Sequence, residues 1–211
     1  GPQGPAGPAG DDGTPGVAGN MVCVECHNLA TKSAVEEAYA LSGHASMSFA
    51  LSFAGARNDC AACHSDQGFV ETQYTGMDTT AMAIALPQPI QCRTCHGFHE
   101  SLDFEDESNA ALRTDDAIEL LMYRDLATPV VLDFEGPSNL CANCHQPRAA
   151  GPDNTADEAE VITQSSTRYG PHYGPQSTML AGIGAYEIGD GWDEIANDPS
   201  THTQGTCVSC H

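Results

Sequence analysis

Cys92-Arg93-Thr94-Cys95-His96 holds the pattern from which the rest of the chain is read. The same Cys-x-x-Cys-His order recurs as Cys23-Val24-Glu25-Cys26-His27, Cys60-Ala61-Ala62-Cys63-His64, Cys141-Ala142-Asn143-Cys144-His145 and Cys207-Val208-Ser209-Cys210-His211. The five copies use all ten cysteines of the 211-residue chain. A two-residue gap followed at once by His is the attachment signature of a c-type haem. Each thiol adds to a vinyl group to form a thioether, and the adjoining His reaches the iron from one face. The spacing is therefore a covalent constraint.

Zinc and redox disulfides also use Cys-x-x-Cys. A four-cysteine zinc site takes the pairs two at a time, and five pairs leave one over. Neither chemistry requires His after every second Cys. A disulfide framework has no need of equal gaps. The pattern predicts five c-type haems. They would be held by Cys23, Cys26, Cys60, Cys63, Cys92, Cys95, Cys141, Cys144, Cys207 and Cys210, with iron on His27, His64, His96, His145 and His211.

Five such cofactors leave about 42 residues each, too few for a conventional core around every one. The haems are expected to form the core and the polypeptide to wrap them. That predicts a mostly irregular chain with a few short α-helices and little or no β-sheet. The first cysteines fall at positions 23, 60, 92, 141 and 207, without a fixed period, which excludes a solenoid of equal repeats. Ser33 and Glu36 form a capping box, Ala34 to Leu41 is helix-prone, and Gly43 is expected to end that helix. Asp115 or Asp116 could cap a second helix with Ile118, Leu121 and Met122 on one face.

Residues 1–21 differ from the remainder. Gly1, Gly4, Gly7, Gly10, Gly13, Gly16 and Gly19 make seven unbroken Gly-X-Y triplets, with Pro2, Pro5, Pro8 and Pro15 between them. Gly at every third position is what a collagen triple helix needs at its axis, and a single chain of this composition is extended. The expected organisation is a collagen-like arm over 1–21 and a pentahaem module over 22–211.

Seven Lys and Arg against 29 Asp and Glu give a net charge of −22. Such a surface repels nucleic acid and anionic headgroups. No apolar run is long enough to span a membrane. No signal peptide is visible at Gly1. Covalent haem is installed after export, so passage through the periplasm is expected, with a leader removed or omitted from this chain.

A haem with His on both faces is closed to substrate and suited to electron transfer. Beyond the attachment histidines the chain has His44, His99, His172 and His202 as candidate second ligands. His99 lies three residues after His96, on nearly the same side of a helical turn, so it should serve a neighbouring iron. His172 sits in a proline-stiffened segment, and His202 lies five residues before Cys207. Four histidines for five open faces leave one short. A methionine (Met21, Met47, Met77, Met82, Met122 or Met179), an open face, or a ligand from outside 1–211 could fill it.

The motif set, the Ser42-Gly43-His44-Ala45 segment and the Cys92-to-His99 pattern resemble the small extracellular multihaem c-type cytochromes of metal-respiring bacteria and related archaea. Several of those polymerise into conductive filaments. The resemblance implies bis-His haems in a continuous stack, self-association with one ligand able to come from the adjacent subunit, and redox proteins or extracellular acceptors as partners. A collagen-like head and a missing fifth His depart from that pattern. A monomeric periplasmic electron shuttle needs the same haems. A reductase with one open haem would need basic donors, and seven basic residues in the whole chain speak against it. The expectation is an electron carrier and not an enzyme.

Overall fold

The computed structural model describes residues 28–97, 112–123, 129–148, 176–181 and 206–209, which fall in two compact units divided between Leu41 and Ser42. The collagen-like arm and its boundary at 21/22 lie outside the described residues. In the first unit, helix α1 (Leu29–Ala40) is the described element. It starts earlier than the capping box implied, because Lys32 N already bonds to Asn28 O at 2.9 Å, so Ser33 lies inside the helix. Lys32 and Glu36 form an exposed i,i+4 ion pair at 3.4 Å, worth a few tenths of a kcal/mol.

The second unit is a series of short helices and loops. Its first elements are α2 (Gly43–Ser46), α3 (Ser48–Ala50) and a π-helical turn (Leu51–Gly55). Gly43 opens α2 and does not simply end α1. Ser42 caps α2, its side chain accepting from Ala45 N at 3.3 Å. There follow α4 (Ala61–His64), α5 (Asp66–Thr75) and α6 (Cys92–Cys95). Strand β1 (Ile118–Glu119), a 3-10 turn (Leu121–Tyr123) and strand β2 (Val131–Leu132) precede α7 (Ser138–Cys144), α8 (Gln176–Ala181) and a last 3-10 turn (Cys207–Ser209).

Among the described residues the two strands form one antiparallel sheet, pairing Ile118 with Leu132 and Glu119 with Val131. The helix expected from Asp115 or Asp116 to Met122 is therefore a strand and a 3-10 turn. Ile118, Leu120 and Met122 are buried while Glu119 is exposed, the two-residue alternation of a half-buried strand. With Leu132 they form an apolar cluster that also takes Ala142 of α7 and Ala181 of α8, flanked by Val130 and Phe134. This cluster lies directly behind the Cys141–His145 motif.

Elsewhere apolar burial is scattered over residues such as Phe69, Ile90 and Leu140, and much of the burial is polar. The largest fully buried side chains include Asn139, Asp66, Ser65, Ser138 and Ser177 beside Leu120. Phe49, Tyr74, Met82 and Leu86 meanwhile face outward. Among the described residues no helix is long and apolar enough to cross a membrane.

Candidate cofactor-attachment site

The motifs at Cys60, Cys92 and Cys141 each sit on about one helical turn, which places two sulfurs and a His on one short piece of chain. The Cys60–His64 motif is set by close backbone packing. Ser65 ends α4 and caps α5, accepting from Gly68 N at 3.1 Å while donating to Ala61 O at 3.1 Å. Gly68 lies so close to α4 that a Cβ there would fall 2.2 Å from Ala61 O. Gly55 approaches from the other side, where a Cβ would fall 2.8 Å from His64 O. Burial pushes the Cys60 thiol above its ordinary value, and Asp59, accepting from Sγ at 3.3 Å, pushes it further.

The Cys92–His96 motif is held by charge. Asp66, fully buried at the start of α5, accepts from Thr94 Oγ1 at 2.7 Å and from Arg93, the two residues between the cysteines. Gln91 and Thr94 close a reciprocal capping box around the turn. Arg113 grips its far side: Nε donates to Thr94 O at 3.2 Å, and Nη2 donates to Arg93 O at 2.6 Å and His96 O at 3.3 Å. Burial raises the Cys95 thiol, and neighbouring Cys92 adds to the shift.

The Cys141–His145 motif is held by amides. Asn139 accepts from Phe134 N at 2.8 Å and donates to Asp115 O at 2.9 Å and Asp133 Oδ1 at 2.8 Å. Gln146 accepts from Leu121 N at 2.8 Å and donates to Asn143 O at 2.9 Å. Ser177 of α8 donates through its hydroxyl to His145 O.

This motif is also a meeting point. Cys63 Sγ approaches Asn143 O at 3.8 Å, and Cys144 Sγ approaches Ala62 O at 3.8 Å, a reciprocal contact between α4 and α7. Gln73 of α5 adds a bond to Asn143 Oδ1 at 3.3 Å. The Cys63 and Cys144 thiols influence each other across this contact, which favours the thiolate at Cys63 and, with burial, pushes Cys144 well up. Burial raises Cys141, with Cys207 the next contributor, and Val208 N bonds to Ser138 Oγ at 3.2 Å. Cys95 lies within electrostatic reach of Cys141 and Cys144. The Cys60 motif and the turn at Cys207, far from it in sequence, thus meet the Cys141 motif at α7.

Of the candidate second ligands, His44 on α2 is described, and its ring centre lies 6.0 Å from that of His145, with the ring planes inclined at 53°. Both side chains are exposed. His64 is half-buried and His96 exposed. Met122 is part of the apolar cluster, whereas Met77, Met82 and Met179 are exposed. Cys23, Cys26, His27, His99, His172, His202, Cys210, His211 and Met21 lie outside the described residues. Among the described residues no group of three or more His, Cys, Asp or Glu side chains is arranged to hold a metal ion. An open cleft of about 280 Å³ between the Cys60 and Cys141 motifs is lined by Ala62, Phe69, Gln73 and Asn143, and by Asp116 and Glu119.

Sequence reasoning missed Asp66, Arg113, Asn139 and Gln146. The Ser65-Asp66 pair after His64 carries a local signal, an N-cap and an acidic first-turn residue. The partners of Asp66 lie 27 and 28 residues away, where no local pattern points. Compared with known protein families, curated proteins and solved structures, the chain matches none.

Proposed function

We propose that this chain is a pentahaem c-type cytochrome that carries electrons from haem to haem, as a subunit of an extracellular filament delivering them to external acceptors. The observation that carries the proposal is the fivefold Cys-x-x-Cys-His, which leaves no cysteine for any other purpose. The donor set supports it. The described motifs place paired sulfurs and a following His on single turns, and His96 and His145 are exposed to a partner. Exposed Phe49, Phe53, Tyr74 and Met82 offer apolar surface of the kind a porphyrin covers.

Bound there, each haem would supply an iron that gains or loses one electron. The residues do the rest. Asp66 ties the Cys92 turn to the helix that follows the Cys60 turn, and Arg113, Asn139 and Gln146 brace the Cys92 and Cys141 turns against the neighbouring chain. The contact between α4 and α7 makes the second and fourth motifs neighbours, so a direct hop between their haems is expected although 80 residues separate them. The cleft between them presents Asp78, Asp116 and Glu119, which repel oxyanions, so we assign the chain as a carrier and not a reductase.

Intact-mass measurement of the purified secreted protein tests the proposal: five added haems are expected, and a bare polypeptide would sink it. Negative-stain microscopy tests the filament. Single monodisperse particles would leave an electron shuttle in its place.

A further inference from the structure

We propose that His44 is the second axial ligand of the iron held by His145, so that α2 closes the open face of the haem on Cys141 and Cys144. The assignment rests on the proposed haem attachment and goes beyond it by pairing two particular residues. The sequence places His44 and His145 on turns 101 residues apart and gives no reason to join them. The fold brings their ring centres to 6.0 Å.

That distance has chemical meaning. A ligating imidazole nitrogen stands about 2 Å from its metal and the ring centre roughly 1 Å further on, so rings on opposite faces of one ion have centres about 6 Å apart. The 53° inclination is compatible, because each ring can turn about its own bond to the iron. Both rings are exposed, as ligands must be before a porphyrin is inserted between them.

Both ends are also fixed. Ser42 caps α2 through Ala45 N, and Met47 N bonds to Gly43 O at 3.0 Å, so the turn carrying His44 is a closed unit. His145 is anchored by its own carbonyl, which accepts from Ser177 N at 3.3 Å and from the Ser177 hydroxyl. With His44 taken, His99, His172 and His202 remain for the other four irons, so the missing ligand belongs to one of those.

The test uses the holoprotein. His44→Ala should retain all five haems by intact mass while one haem in five turns from low-spin to high-spin in the ferric electron paramagnetic resonance spectrum. The reduced variant should bind one more equivalent of carbon monoxide than the wild type. His44→Gly with added imidazole should recover the low-spin signal, which separates a lost ligand from a damaged fold. In a chain carrying Cys141→Ala and Cys144→Ala, which should hold four haems, His44→Ala should add no further high-spin signal. A five-haem His44→Ala protein with an unchanged spectrum would overturn this pairing alone. A new high-spin signal in the four-haem background would assign His44 to another iron and overturn it as well. A wild-type chain without haem would instead overturn the attachment on which the pairing rests.

Discussion

The Cys92 and Cys141 motifs share the same Cys-x-x-Cys-His order and have opposite supports. The first is clasped by ions, with buried Asp66 on Arg93 and Thr94 and with Arg113 over the backbone carbonyls. The second rests on an apolar cluster and a web of Asn and Gln amides. The contrast shows that one five-residue pattern can be mounted by quite different local means. Where a β-hairpin supplies Leu120 and Leu132, hydrophobic burial can seat the turn. At the Cys92 turn, charge-assisted hydrogen bonds do so.

The contrast can be broken from either side. Leu120→Ala should have the largest effect, because Leu120 is 1% exposed at the centre of the apolar cluster. A loss of about 3 kcal/mol is expected in denaturant unfolding, nearly the same at low salt and at about 1 M salt. A loss below about 1 kcal/mol would show that the cluster does not support the Cys141 turn.

Asp66→Ala should follow, costing about 2 kcal/mol, since it strands the buried Thr94 hydroxyl and removes the acceptor for Arg93. Arg93 is 46% exposed, so Arg93→Ala alone should cost about 1 kcal/mol or less. A double-mutant cycle should give a favourable coupling for this pair, and a coupling of zero would reduce the clasp to the Thr94 bond.

The smallest effect concerns acid. Asn139 donates to exposed Asp133 and, with Glu135 N, holds its carboxyl below the ordinary value of 3.8. A depressed carboxylate stabilises the fold above its unfolded value, and the contribution fades as pH falls through 3.8 and below. Unfolding curves of Asn139→Ala should be less steep in pH across that acid range than those of the wild type. Equal steepness would remove Asn139 as the cause.

The parts legible in the sequence were those written locally. Cys-x-x-Cys-His marked which residues belong together, and the motifs at Cys60, Cys92 and Cys141 lie on turns of helix. The scarcity of strand among the described residues agrees with the expected chain of loops and short helices. The hairpin was missed because Ile118, Leu121 and Met122 fit a helical face, while Ile118, Leu120 and Met122 fit a strand equally well. The pairing with residues 131 and 132 decides between them, and only a folded chain reveals it. His44 was recognised as a ligand type, but its neighbour was not, since no spacing rule links it to His145. The convergence around α7 was hidden for the same reason.

The two residues enclosed by the Cys60, Cys92 and Cys141 pairs are not filler. Ala61 admits Gly68, Arg93 and Thr94 take hold of Asp66, and Asn143 answers Gln73. These interior letters act as postal addresses on otherwise identical envelopes. Exchanging Ala61-Ala62 for Arg93-Thr94 would preserve every Cys and His of both patterns and still misdeliver both turns, so these three described motifs are individuals that cannot be shuffled like beads.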